Sequence, residues 1–161
     1  MGQIWTQKGI IMIKWEVVNE SKRKTNGEIH LPQRMTKNAM GYDFYSPSNV
    51  TIYPHSKTVI FTDVKFFCDE ENVGLLIFPR SSIGVKRHLM LANTVGLIDS
   101  DYYGNEDNDG NIGFVMYNYG DEVVTIKKGE RIGQGMIVPF LLADNGNSDT
   151  QRVGGFGSSG R

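Results

Sequence analysis

The chain never sustains apolar residues at helical spacing over three turns; short apolar and β-branched pieces alternate with turn-forming residues along almost its whole length. A backbone broken that often cannot build long helices, so each piece must satisfy its N–H and C=O groups by pairing with another. Ile13 to Val18, Tyr42 to Tyr45, Val50 to Ile52, Val59 to Phe67, Leu89 to Val95, Gly96 to Ile98, Ile112 to Asn118, Glu122 to Ile126 and Ile132 to Phe140 read as strands. Pro47, Asn49, Pro54 and the pair Lys128-Gly129 punctuate them. Val73 to Phe78 is a continuous apolar run of strand length, which predicts a strand buried on both faces. Ser82 to His88 reads as a helical turn or two. The 19 glycines among 161 residues agree with many turns. The pattern predicts an all-β sandwich or barrel in one domain.

Composition removes several functional classes. A net charge of -1 gives no basic face for a nucleic-acid backbone. Lys22-Arg23-Lys24 reads as a solvated loop. Cys68 is the sole cysteine, which excludes an intrachain disulfide and a cysteine-based zinc site, and His30, His55 and His88 show no ligand spacing. No apolar run is long enough to span a membrane, and the N-terminus lacks the apolar core of a signal peptide. A soluble, reducing, cytoplasmic setting is expected. Met12 is a second candidate start, so residues 1–11 read as an N-terminal extension of native or introduced origin. Residues 12–142 read as the folded barrel. Residues 143–161 are too small and polar to bury a core, and are expected to form a flexible C-terminal arm.

Five segments carry groups suited to chemistry. Ala39-Met40-Gly41-Tyr42-Asp43 ends on a carboxylate that, taken alone, reads as a strand-end residue capping a turn. Pro79-Arg80-Ser81-Ser82-Ile83-Gly84 follows the apolar run; its guanidinium fork and hydroxyls suit phosphate oxygens, and a short helical turn would add N–H groups. Asn93 to Gly104, which includes Asp99-Ser100-Asp101-Tyr102, looks like a hairpin with a polar wall, in which Tyr102 reads as a core aromatic and Asp101 as a turn residue or anchor. Gly129 to Met136 holds Gly133 and Gly135, small for a strand, which suggests close backbone approach or a bulge. Arg131 suits either an anion or a carboxylate partner. Arg152 to Gly160 embeds Phe156 in glycine and serine: an aromatic ring can stack on a pyrimidine, and the small residues can present N–H and hydroxyl groups to phosphate. Asn105 to Gly110 resembles the start of a calcium loop, but the twelfth position from Asn105 is Met116, so an EF-hand is rejected and an exposed inserted loop is expected.

In this order the five segments resemble the motifs of the trimeric dUTP pyrophosphatase (dUTPase) family, over roughly Ala39 to Gly160. Two departures stand out: Met40 replaces a small residue, and one residue fewer separates Arg152 from Gly154-Gly155-Phe156-Gly157. The resemblance implies a distorted jelly-roll β-barrel with the arm, and hydrolysis of dUTP to dUMP and pyrophosphate with Mg2+. It implies that Asn93, Gly96 and Ile98 read the uracil edge, that Tyr102 packs on the deoxyribose, and that Asp99 deprotonates the attacking water. Arg80, Ser81, Ser82 and Gln134 would contact the triphosphate. Arg152, Phe156, Gly157 and Ser158 would close over the nucleotide. Asp43 would meet the metal through water. Family members are three-fold symmetric with sites at subunit contacts, so a homotrimer is expected. Residues 141–151 form a short link, which limits the arm's reach. Two rival readings stay open: an enzyme like dCTP deaminase on the same fold, and a nucleotide-sensing switch that binds a regulatory protein.

Overall fold

The computed structural model describes residues 5, 6 and 9–146. In chain order its elements are β1 (Trp5–Thr6), β2 (Gly9–Ile10), β3 (Ile13–Val17), a 3-10 turn (Glu20–Lys22), β4 (Tyr42–Tyr45), β5 (Val50–Ile52), β6 (Lys57–Phe61), β7 (Val64–Cys68), β8 (Val73–Pro79), α1 (Ser81–Arg87), β9 (Leu89–Leu91), β10 (Gly96–Ile98), a second 3-10 turn (Ser100–Tyr102), β11 (Gly113–Asn118), β12 (Val124–Ile126) and β13 (Arg131–Pro139). All strand pairings are antiparallel. The largest sheet runs β10-β8-β13-β4, a second runs β6-β11-β9, and β5-β12 and β3-β7 pair off. Many short antiparallel strands folded around one core make this the expected all-β jelly roll. No helix among the described residues is long and apolar enough to cross a membrane.

The core lies between the sheets. Phe44, Ile52, Ile60, Leu75, Leu91, Phe114, Met116 and Ile132 are almost completely buried. Phe44 and Phe114 meet with ring centroids 5.4 Å apart, and Trp15 packs edge-on to Phe44 at 5.3 Å. Truncating Phe44 to alanine should cost about 3–5 kcal/mol. β8 sits between β10 and β13, and seven of its residues pair with β13. Val73, Leu75 and Ile77 are buried on one face, but Leu76 and Phe78 on the other are only half-buried, so the strand expected to be buried on both faces is fully buried on one.

Gly133 fulfils both readings of the small β13 residues. A Cβ there would lie 2.1 Å from Phe114 Cε1 and 2.7 Å from the Phe78 carbonyl oxygen, and the β4 register slips between Arg131 and Gly133. That bulge turns Arg131 and Gln134 toward the same end of β4.

Three expectations need correction. Val59 to Phe67 is two strands, because Asp63 turns the chain with φ 55° between β6 and β7. The strand expected over Leu89 to Val95 stops at Leu91; Ala92 to Val95 is a turn in which Thr94 has φ 63°. The loop expected to be exposed is in large part buried: Asn105, Asn108 and Asp109 are each under a tenth accessible. Its polar groups are satisfied inside the protein, which makes that burial affordable.

Candidate active site

Two groupings hold the predicted residues that fall within the described chain. The first is a cavity of about 500 Å³ whose walls include Ile77, Asn93, Val95, Gly96, Ile98 and Tyr102. That volume suits a small ligand, and the walls are mostly apolar. β10 forms one side at the edge of its sheet, paired only with β8 among the described residues. An edge strand leaves alternate N–H and C=O groups without a ladder partner, so the backbone of Gly96 to Ile98 can present donors and acceptors to a ligand. Gly96 allows β10 to lie close to β8: a Cβ there would come within 2.4 Å of Ile77 Cγ1. Asn93 stands exposed on the preceding turn. Tyr102 is buried, with its hydroxyl turned inward.

Asp99 follows β10 directly, at the N-cap of the Ser100–Tyr102 turn, with extended backbone and an exposed side chain. It therefore leaves the rim of the cavity three residues before Tyr102, which fixes it near the slot but in contact with solvent.

The second grouping forms around Asp43, which is only 2% exposed on β4. Arg131 Nη1 donates to its Oδ2 at 2.9 Å, and Gln134 Nε2 donates to its Oδ1 at 3.0 Å. Arg80 Nε lies 3.9 Å from Oδ1. The register produces this convergence: Gln134 pairs with Asp43 on one side and Phe78 on the other, and Arg80 follows β8 directly. The Arg80 N–H donates to the Ile132 carbonyl at 3.3 Å and its own carbonyl accepts from Ile83 N–H at 2.9 Å, so the backbone under the guanidinium is pinned. Ser81 is exposed and Ser82 half-buried in the first turn of α1. Two guanidiniums against one carboxylate leave net positive charge beside two hydroxyls and an amide. A multiply charged anion fits that set.

Of the two partners left open for Arg131, the structure supplies the carboxylate. The partnership of Arg131 with Asp43 was legible only as a residue type, since the two are 88 positions apart. The slot walls Val95, Leu97 and Val115 were not foreseen; an apolar residue in a turn or on a strand says nothing by itself about a cavity. Arg152, Phe156, Gly157 and Ser158 lie outside the described residues.

An apolar slot lies along an edge strand, and a cationic cluster lies on the same sheet, features that suit a small ligand with an anionic tail. Residues 27–160 match the sequence model of the dUTPase family. The chain is similar to the deoxyuridine 5'-triphosphate nucleotidohydrolase of Lactococcus lactis, at 41% identity over 91% of this chain and 96% of that one. Its fold is similar to the crystal structure of the Streptococcus mutans dUTPase, with TM-score 0.72 and 37% identity over 81% of this chain and 98% of that one. A Staphylococcus bacteriophage 80alpha dUTPase variant with dUpNHpp superimposes with TM-score 0.68 and 26% identity, covering 93% and 99% of the two chains. The chain belongs to the dUTPase family.

Proposed function

We propose that the protein is a dUTP diphosphatase, hydrolysing dUTP to dUMP and pyrophosphate. The observation that carries this reading is the pairing, on one sheet, of an edge-strand slot with the Asp43–Arg80–Arg131–Gln134 cluster. In the slot, main-chain groups of Gly96 and Ile98 together with Asn93 meet the uracil edge. Cytosine reverses part of that donor and acceptor pattern, which would leave polar groups unpaired at a cost above that of a poor apolar fit. The Tyr102 ring packs against the sugar. Arg80, Ser81, Ser82 and Gln134 take the phosphates, and Arg152, Phe156, Gly157 and Ser158 come over the nucleotide from the C-terminal arm.

Asp99 is the general base. Its carboxylate accepts a proton from the attacking water, which adds in line to the α-phosphorus as the bond to the bridging oxygen of pyrophosphate breaks. The guanidiniums and N–H donors offset charge on the equatorial oxygens. The donor set fits Mg2+ only as a companion of the triphosphate: among the described residues no three acidic, histidine or cysteine groups gather around one point. Asp43 has one lone pair of each oxygen engaged by Arg131 and Gln134, which leaves acceptor capacity for a metal-bound water. When bound, Mg2+ supplies charge neutralisation on the phosphates and keeps several of its waters.

The assembly is read as a homotrimer. Leu97, a slot wall on β10, is 71% exposed and Val85 on α1 is 79% exposed, apolar surface that a second copy would cover. Sedimentation equilibrium should return a mass near three chains of 18.1 kDa. The chemistry is tested by hydrolysis in 18O-water. The label should appear in the dUMP phosphate; label in pyrophosphate alone would place the attack on the β-phosphorus and refute the assignment. Release of ammonia from dCTP would favour the deaminase-like alternative instead.

A further inference from the structure

The segment Asn105 to Asn111 is polar, yet four of its polar side chains are buried: Asn105, Asn108, Asp109 and Asn111. Among the described residues no buried side-chain nitrogen or oxygen lacks a partner. The partners converge on one side chain. Asn108 Oδ1 accepts from Asn105 Nδ2 at 2.9 Å, Gly110 N–H at 3.0 Å and Asn111 N–H at 3.2 Å. Three donors on that oxygen fix the amide's orientation and aim its nitrogen elsewhere. Asn108 Nδ2 donates to the Tyr102 hydroxyl at 2.7 Å, and that hydroxyl donates to the Asn111 carbonyl at 3.1 Å. Asn105 Nδ2 also donates to the Tyr102 carbonyl at 3.1 Å, so ring and backbone are held from the same segment.

The segment is itself anchored at a distance. Lys65 Nζ and the Asn19 N–H both donate to Asp109 Oδ2 at 2.8 Å. Asn111 Nδ2 donates to Asp63 Oδ1 at 2.7 Å, and the Asp63 N–H returns a bond to Asn111 Oδ1 at 3.0 Å. A buried network in which every member is satisfied resists small displacements. The network reaches the slot wall at Tyr102.

We propose that Asn108 is a positioning residue for sugar selection: by holding the Tyr102 hydroxyl it fixes the ring against the slot and so sets the room beside the sugar's 2′ carbon. The inference rests on the reading of the slot as the dUTP site. A ring free to tilt would admit a 2′-hydroxyl that the fixed ring excludes.

The test is the ratio of kcat/KM for dUTP to kcat/KM for UTP, measured on the full chain alongside thermal melting. Asn108→Ala should lower the ratio about tenfold, equivalent to about 1.4 kcal/mol of discrimination. Tyr102→Phe keeps the ring and removes the hydroxyl, and should lower the ratio similarly. The double variant should fall no further than the worse single, because the Asn108–Tyr102 bond is lost in both. A folded Asn108→Ala protein with the wild-type ratio would overturn the proposal. Should that variant not fold, Tyr102→Phe decides: an unchanged ratio overturns the proposal, and a reduced one supports it. A wild-type protein that leaves dUTP intact would instead refute the functional reading beneath it.

Discussion

Around Tyr102 the hydrogen-bonding groups are matched inside the chain, whereas around Asp43 one buried carboxylate faces two guanidiniums and an amide. The first region is anchored by main chain and by short, buried asparagine and aspartate side chains. The second is assembled from long side chains: Arg80 and Arg131 are each about a third exposed. On the proposed function, the difference follows from what each must recognise. Rejecting a methyl or a hydroxyl needs walls that do not move, because a lone methyl is worth only about 1–3 kcal/mol in a pocket that can adapt. Holding a flexible chain of phosphates needs charge and reach, and an arginine fork tolerates adjustment.

The comparison can be broken at its weakest joint first. Asp99 lies between the two regions in the proposed reaction, so Asp99→Asn should lower kcat by about a thousandfold or more while a non-hydrolysable dUTP analogue still binds. Turnover at the wild-type rate would remove Asp99 from the chemistry. Next comes the charge side alone. Arg80→Ala should reduce kcat/KM for dUTP about a hundredfold, roughly 2.7 kcal/mol, yet leave dUMP affinity within about twofold. Equal losses for both ligands, read by calorimetry, would mean that the two regions are not separable. Asp43→Asn should cost about 1–2 kcal/mol of stability, since it leaves the guanidiniums facing one another. Urea denaturation measures that directly.

The smallest effect concerns the base of the rigid region. Tyr103, next to Tyr102, donates its hydroxyl to Glu16, and this bond to a carboxylate pushes the phenol pKa up to about 12. The phenol's proton is held more tightly in the folded state. Its contribution to stability is therefore complete below the ordinary value of 10.0 and disappears as pH rises from there through about 12. Glu16 has the opposite sign: bonds from Lys14 first and Tyr103 second lower its pKa, so its contribution is present above 4.5 and fades as pH falls below it. Thermal melts across the alkaline range should show Tyr103→Phe losing less stability than the wild type. Parallel curves would refute the assignment.

The same contrast explains what the sequence revealed. Tyr42 to Tyr45 and Val50 to Ile52 were legible as strands with correct ends, because Asn49 directly precedes Val50 and Pro47 and Pro54 each lie two residues past a strand end. The turn at Ala92 to Val95 was not, because Thr94 takes a left-handed conformation without a glycine to announce it. Asp63 hid the break between β6 and β7 in the same way. Arg80, Ser81 and Gln134 were visible as residue types suited to phosphate, but their common anchor depends on a strand register that no local pattern encodes. Within the segment Asn105 to Asn111, the loop Asn105 to Gly110 was misread as exposed because its composition is that of a surface loop. Its burial depends on Lys65, Asp63 and Asn19, residues between 44 and 90 positions away where they bond to it.

One assay reaches the centre of the account: dUTP, dTTP, dCTP and UTP supplied together at equal concentration with Mg2+, and the products separated over time. A fixed slot joined to a general anion cluster predicts that dUMP and pyrophosphate accumulate while the other three nucleotides persist at least about a hundredfold longer, the upper end of what a rigid wall gains against a single methyl and well below what unpaired polar groups add against cytosine. Consumption of dTTP or UTP at a rate comparable to dUTP would contradict it.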